Sequence, residues 1–474
     1  MAAGLRSIVA KKLESRSQIV SIGLRGPVDG PGKGNSMKTG LTFARALGFG
    51  LLAGVFFQGE ARSIGIEDVV DGGNDYAWER VEIPGTQCSD GSQYKFFVYD
   101  SPTSSNLLVM FEGGGACWDY PSCSGELGIL GAANPNGIAD DYITQFKAEY
   151  VSPLVNGADP GVPFRAKNDI ATKGYDVVYM PYCTGDVHVG NNVTTYHDPS
   201  GQNPPLVFRH MGFHNTREAL DYLAGRFPNI DKLLVTGFSA GGVATAAGYY
   251  EARRVLQPNK GYLLNDSGPA FPAPDMSYNS RPLHETITTA WDVSSLYGEL
   301  PASFDPGDFG SLTDMVASEY PNDQLAYTGY SSDFNFSRFS YERFYPGIDA
   351  NGILDKWRED QDNLIDEMDD HPNFSWHIPW HRPINDSHCT SIITFIGSHA
   401  CKNIRKKKWW EFWEWPWSQS WKCTSGWTPI ENFLDLWLDQ DGVSRIKEKE
   451  NGYNNEDPGM QIIGPLINDA LSGV

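Results

Sequence analysis

The chain has 474 residues, 40% of them hydrophobic and 13% aromatic, with 50 glycines, 30 prolines and a formal net charge of −22. Such a length and apolar content exclude a small disulfide scaffold and a globally disordered chain, and fit one large domain with long, shaped loops, with two domains as the alternative. The acidity argues against nucleic-acid binding as the main task, because a phosphate backbone repels such a surface.

Residues 1–36 are polar, basic and glycine-rich, without periodicity. From Met37 the pattern changes. Lys38 and Arg45 precede an apolar run, Ala46–Phe57, and Gly59-Glu60-Ala61 then offers small residues for cleavage. This reads as a secretory signal peptide, too short to span a bilayer well; an N-terminal anchor is the alternative. Met37 is read as the true start. Residues 1–61 are therefore set aside as an extension plus signal peptide, with cleavage expected near Ala61. The expected location is secreted or periplasmic, with no stable membrane span in the mature chain. These residues carry eight Lys/Arg and three acids, a net +5, so the remainder carries −27 (−22 less +5).

The mature chain opens with Tyr94–Tyr99, a weakly alternating run expected to be a strand. Asn106–Phe111 (NLLVMF) is continuously apolar, the pattern of a strand buried on both faces. It runs into Glu112-Gly113-Gly114-Gly115-Ala116-Cys117-Trp118. Residues 119–172 read as a long excursion of short helices and loops. Tyr175–Met180 is another buried strand, ending in Pro181-Tyr182-Cys183-Thr184-Gly185-Asp186. His210–Phe227 has helical spacing. Leu233–Val235 begins a further strand, and Gly237-Phe238-Ser239-Ala240-Gly241 matches G-x-S-x-G before a helix from about Gly242 to Leu256. Gly261–Leu264 leads to Asn265-Asp266-Ser267-Gly268, and Asp323–Tyr330 to Ser331-Ser332-Asp333. This alternation predicts an α/β fold with a mostly parallel, doubly wound sheet, helices on both faces and long inserted loops.

Strand, sharp turn and helix are the context in which G-x-S-x-G carries chemistry. The turn needs neighbours without bulk and lifts the Ser239 hydroxyl above the sheet edge, with the Ala240 N–H pointing at whatever the serine attacks. A glycine-rich strand-to-helix turn without catalysis is the plainer reading. A serine also needs a base and a group to orient that base, in the chain order Ser, acid, His. Asp333, Asp266 and Asp323 are candidate acids, and Asp266 could instead be structural. His371, His377, His381, His388 and His399 are candidate bases. His388 stands out because it sits in a loop beside Cys389, just ahead of the apolar segment Ile392–Ile396. The Gly113–Gly115 triplet, placed after an early strand, can bring backbone N–H groups close to an oxyanion.

Seven cysteines (Cys88, Cys117, Cys123, Cys183, Cys389, Cys401, Cys423) behind an export signal imply disulfides, with one thiol left over. Cys117 and Cys123 are close enough in sequence to close a small loop, and no C-x-x-C pair suggests zinc. Sequons start at Asn192, Asn265, Asn335, Asn373 and Asn385. Lys402–Trp427 combines a basic run, Arg405–Lys408, with seven tryptophans (Trp409, Trp410, Trp413, Trp415, Trp417, Trp421, Trp427). A packed aromatic subdomain, a sugar-stacking surface and a membrane- or partner-facing surface all fit it.

Cys88-Ser89-Asp90-Gly91-Ser92, then LLVMFEGGGACW to Cys123, then YDVVYMPYCTGD, then GFSAGG, occur here in order. In these motifs, over about residues 80–400, the chain resembles the pectin acetylesterase / Notum family of secreted serine carboxylesterases, which have an α/β-hydrolase-like fold. The resemblance implies Ser239 as nucleophile, Asp333 as acid and His388 as base. It implies an oxyanion hole from Gly114, Gly115 and Ala240, and disulfides Cys88–Cys183 and Cys117–Cys123. It implies no metal and no organic cofactor. The resulting expectation is a single catalytic domain over 62–474, an exported esterase that hydrolyses acyl esters, acetyl first, on a polysaccharide. A longer acyl chain is the alternative. A non-catalytic, secreted glycan-binding protein is the reading from another class. The acyl pocket is expected from residues 119–172 and 270–320.

Overall fold

The computed structural model describes residues 62–65, 78–102, 104–127, 131–144, 151–156, 170–382, 385–406 and 421–450. They belong to one compact unit, Gln58–Val474. The signal-peptide and Met37 readings fall on residues outside the described ones, as do Trp409, Trp410, Trp413, Trp415 and Trp417.

The strands are β1 (Arg62–Gly65), β2 (Trp78–Gln87), β3 (Gln93–Tyr99), β4 (Leu107–Phe111), β5 (Asp176–Met180), β6 (Asn192–Tyr196), β7 (Leu206–His210), β8 (Lys232–Phe238), β9 (Lys260–Asp266), β10 (Gln324–Thr328), β11 (Phe374–Ile378), β12 (His399–Lys406), β13 (Trp421–Pro429) and β14 (Arg445–Lys447). Ten of them form one sheet in the order β1-β2-β3-β5-β4-β8-β9-β10-β11-β14. From β5 to β14 every pairing is parallel. β1, β2 and β3 add an antiparallel edge. The fold is α/β with a mostly parallel sheet, as expected. β4, β5, β10 and β11 are buried at every residue, and in β4 and β5 this gives a run of apolar residues rather than alternation.

The connections place the chemistry. After β4 the chain moves to β5 on one side, and after β8 it moves to β9 on the other. The strand order therefore reverses between β4 and β8, and ligands in open α/β sheets bind beyond the carboxyl ends of strands at such a point. Gly113–Gly115 follow β4 there, and Ser239 follows β8.

The helix Ala240–Leu256 begins with small residues because it must lie close to the sheet. A Cβ on Gly241 would sit 2.0 Å from the Phe111 carbonyl oxygen. The helix Gly212–Arg226 turns Phe213, Ala219, Leu220 and Leu223 inward, as its spacing predicts. Within 119–172 the described residues form only short helices, Tyr120–Cys123, Tyr142–Thr144 and Pro153–Asn156.

Disulfides join Cys88 to Cys183, Cys117 to Cys123 and Cys401 to Cys423, and Cys389 is a free, buried thiol. The third bridge ties β12 to β13, an antiparallel pair with exposed Lys402, Lys406 and Lys422. Trp427 on β13 is 53% exposed and stacks on His399 with ring centroids 3.6 Å apart. Three sequon asparagines, Asn265, Asn373 and Asn385, are buried. No helix among the described residues is long and apolar enough to cross a membrane.

Candidate active site

Ser239 joins β8 to the helix Ala240–Leu256 at φ 56°, ψ −124°. This backbone conformation is sparsely populated and costs about 1–3 kcal/mol for a residue with a side chain. The neighbours hold it there. The Ser239 N–H donates to the Asp266 carbonyl at 2.9 Å, and the Ser239 carbonyl accepts from Val243 N–H at 3.1 Å. A Cβ on Gly237 would lie 2.2 Å from the Gly241 oxygen. The two glycines of the motif are thus required by close packing within the turn.

Asp333 lies beyond the end of β10 and caps the helix Phe334–Tyr341, with Oδ1 accepting from the Phe336 N–H at 2.9 Å. Its Oδ2 lies 2.8 Å from Nδ1 of His388. Burial pushes the Asp333 carboxyl up, and His388 is the largest influence opposing this. A carboxylate on Nδ1 fixes the proton there and leaves Nε2 with a lone pair, the tautomer a general base needs.

The loop carrying His388 is strained and heavily tied. Asn385, Asp386, Ser387 and Cys389 all have positive φ, between 49° and 62°. The His388 N–H donates to the Asn385 carbonyl at 2.8 Å, and Asn385 Nδ2 donates back to the His388 carbonyl at 3.2 Å. The Cys389 N–H reaches Ser267 Oγ at 3.1 Å. Burial raises the pKa of the Cys389 thiol. Ser267 follows Asp266, whose carbonyl accepts the Ser239 N–H, so the residue after His388 is tied to the segment that holds the elbow. Among the described residues no hydrogen bond joins Ser239 Oγ to His388; such bonds are often long before substrate is bound.

The rival acids have other partners. The Asp266 carboxylate accepts from Thr390 N–H at 2.7 Å and Oγ1 at 3.0 Å, and from Ser391 N–H at 2.8 Å and Oγ at 2.6 Å. It clamps the segment just after His388. Asp323 takes Tyr249 Oη and Arg253 Nε, both at 2.7 Å, at the opposite end of the sheet. The rival histidines are also engaged elsewhere: His371 with Asp314, His377 with the Ser398 carbonyl, His381 with Ser387 Oγ, and His399 under Trp427.

Gly115 (φ 72°) and Ala240 line one cavity with Ser239; Gly114 (φ 147°), next to Gly115 in the same loop, is not one of its lining residues. Ala240 is the first residue of its helix, so its N–H has no acceptor within that helix. The glycine loop is braced from beneath by Glu112. That buried carboxylate accepts from Tyr142 Oη at 2.6 and 2.8 Å and from the Tyr182 N–H at 2.9 Å, while the Glu112 carbonyl meets His188 Nε2 at 2.9 Å. A Cβ on Gly115 would lie 2.1 Å from the Gly131 oxygen and 2.9 Å from Phe339 Cζ. Gly115→Ala is expected to lower kcat by about 10²–10³, the loss typical of one misplaced oxyanion donor. Steady-state kinetics on a soluble ester checks this; an unchanged kcat removes Gly115 from the site.

The cavity beside Ser239 measures about 580 Å³, including the part open to solvent. Its walls are mostly apolar: Trp118, Val243, Phe271, Leu283, Ile287, Trp291, Phe309, Phe336 and Phe339. The region 270–320 contributes as expected. The region 119–172 does not: none of its described residues lines the cavity, and Phe336 and Phe339 from the helix capped by Asp333 take that place. Glu112 and this helix are not among the site residues expected from the sequence. The acid in EGGG was a signal for the first; the second had none beyond its position after Asp333.

An elbow serine at a sheet switch point, with an acid–histidine pair on later strand ends, is an α/β-hydrolase-like arrangement. No protein-family model matches the chain, and no curated protein matches it. Among solved structures it is similar to the Wnt deacylase Notum from Drosophila. One crystal form gives 17% identity and a TM-score of 0.45 over 78% of this chain and 96% of that one. Another gives 19% identity and a TM-score of 0.44 over 64% and 84%.

Proposed function

We propose that the chain is an exported serine carboxylesterase. Ser239 attacks an ester carbonyl while His388 Nε2 takes its proton, and Asp333 holds the proton on Nδ1. The N–H groups of Gly114, Gly115 and Ala240 stabilise the oxyanion. His388 then gives the proton to the leaving alcohol, and water activated by the same imidazole releases the acid. The observation that carries this reading is the 2.8 Å Asp333–His388 contact on a loop tied through Ser267 to the segment that holds the Ser239 turn. Three disulfides suit an oxidising compartment.

The apolar cavity favours an acyl chain of several carbons over acetyl, because acetyl would leave most of the walls without contact. An acetylated polysaccharide is the second reading. It is favoured by an open groove that shares Trp118 with the cavity and adds Tyr196, Phe344, Asn192, Thr194 and Glu285, a mixture of aromatic faces and polar groups suited to sugars.

The test is labelling by a fluorophosphonate, with hydrolysis of p-nitrophenyl esters from acetate to palmitate. Expected are a label on Ser239 and faster turnover of butyrate to octanoate than of acetate. Fastest turnover of acetate would favour the polysaccharide reading. No label on Ser239 and no hydrolysis at any length would favour a non-catalytic glycan-binding protein.

A further inference from the structure

The cavity beside Ser239 has three polar side chains in its walls apart from the serine itself: Ser280, His284 and Ser340. Two of them are engaged. Ser280 Oγ donates to Asp360 Oδ2 at 2.5 Å, and Ser340 Oγ to the Phe336 carbonyl at 3.3 Å. His284 is different. Its side chain is only 6% exposed, and its Nδ1 is buried without a hydrogen-bond partner. The nearest carboxylate, Asp308, stands 4.0 Å away, too far for a hydrogen bond. That carboxylate oxygen already accepts from the N–H groups of Ala273 and Gly310 at 3.0 and 2.9 Å. Burial, and secondarily Arg281, lower the His284 pKa to about 3, so the ring is a neutral imidazole with one donor and one acceptor.

An aromatic ring that only filled this wall would need no nitrogens. The adjacent wall residues Leu283, Ile287 and Phe309 show that the wall is otherwise built for apolar contact. Nδ1 faces Asp308 and is closed off from the cavity, and among the described residues no hydrogen bond reaches Nε2 either, so the other edge of this wall ring is left for a polar group of a ligand. The form of that group follows from its surroundings. A carboxylate would be desolvated beside Asp308, and an ammonium would lose its hydration among aromatic walls. A hydroxyl is neutral, and it can donate or accept, so it suits either tautomer of the ring.

We propose that His284 is the polar recognition point of the acyl pocket, and that the preferred substrates carry a hydroxyl on the acyl group, away from the ester carbon. This rests on the esterase reading for its substrates, but not for its binding geometry. The same chemistry could come from an aliphatic or an aromatic acyl group.

Matched esters separate these. Octanoate is compared with its mid-chain- and end-hydroxylated forms, and phenylpropanoate with its p-hydroxyphenyl form. In the wild type at least one hydroxylated ester is expected to exceed its parent in kcat/KM by roughly fivefold or more. His284→Phe should lower kcat/KM for the hydroxylated ester more than for its parent and so bring that ratio to near one. His284→Gln, which retains a donor and an acceptor, should keep part of the preference. Ratios of one or less throughout in the wild type, or a ratio unchanged by His284→Phe, overturn the proposal. A second readout needs no catalysis: calorimetry of the free acids with Ser239→Ala, alone and combined with His284→Phe. Tighter binding of a hydroxy acid to the single variant only supports the proposal even where esterase activity is absent. Equal binding of each hydroxy acid and its parent to the single variant overturns it.

Discussion

Asp333→Asn is expected to lower kcat by roughly 10⁴-fold while leaving the fold intact. The carboxylate accepts the Nδ1 proton of His388 at 2.8 Å. An amide at that place can offer its own N–H instead, which moves the imidazole proton to Nε2 and removes the base. Stability should change little, because Asn caps a helix as well as Asp and the Phe336 N–H keeps an oxygen acceptor. Asp266→Asn should fail in the other way. Oδ2 of that fully buried carboxylate accepts from both the N–H and the Oγ of Ser391, and Oδ1 from the N–H and Oγ1 of Thr390. In either orientation an amide –NH₂ meets a backbone N–H that now has no acceptor. The loss is about 2–4 kcal/mol of stability, from a buried donor left unpaired and charge-assisted bonds removed. Denaturant unfolding beside kcat measures both variants. If Asp266→Asn stayed as stable as the wild type and lost more kcat than Asp333→Asn, the roles given to the two acids would be exchanged.

That contrast also shows where the sequence could be read. β4, β5, β8 and β9 each hold an unbroken apolar stretch, Leu107–Phe111, 177–180, 233–235 and 262–264, because neighbours cover both of their faces, and such stretches stand out against polar loops. β2 does not stand out: its charges Glu79, Arg80 and Glu82 sit on an antiparallel edge, and Pro84-Gly85 interrupts its pairing with β3. β11 was overlooked because Phe374–Ile378 contains Ser375 and His377, polar residues buried in a parallel strand. Ser239 was legible because its turn demands small neighbours at fixed offsets. Asp333 and His388 were singled out through family resemblance and loop position, since no periodicity marks a catalytic loop. The role of Asp266 depends on partners more than a hundred residues away, which no local pattern encodes. The cavity walls were placed correctly in 270–320, but the face that the helix Arg281–Ala290 turns toward Ser239 is a result of packing.

Two substitutions at Ser239 should share one kinetic outcome and differ in stability. Both Ser239→Ala and Ser239→Gly remove the nucleophile, and each is expected to lower kcat by about 10⁶-fold. Alanine keeps a Cβ on a backbone held at φ 56°, ψ −124° and so keeps the strain. Glycine reaches that region without the clash. Relief of about 1–3 kcal/mol of strain is partly offset by about 0.5–1 kcal/mol of extra entropy in the unfolded chain. Ser239→Gly should therefore be more stable than Ser239→Ala by about 1 kcal/mol, read as a higher denaturation midpoint at unchanged m-value. On the proposed function the strain has a use: the elbow presents the Ser239 hydroxyl at the switch point, and the fold gives up stability to keep it there. Equal midpoints for the two variants would mean that the turn is comfortable for an ordinary residue. The elbow would then be a packing solution rather than a strained nucleophile site.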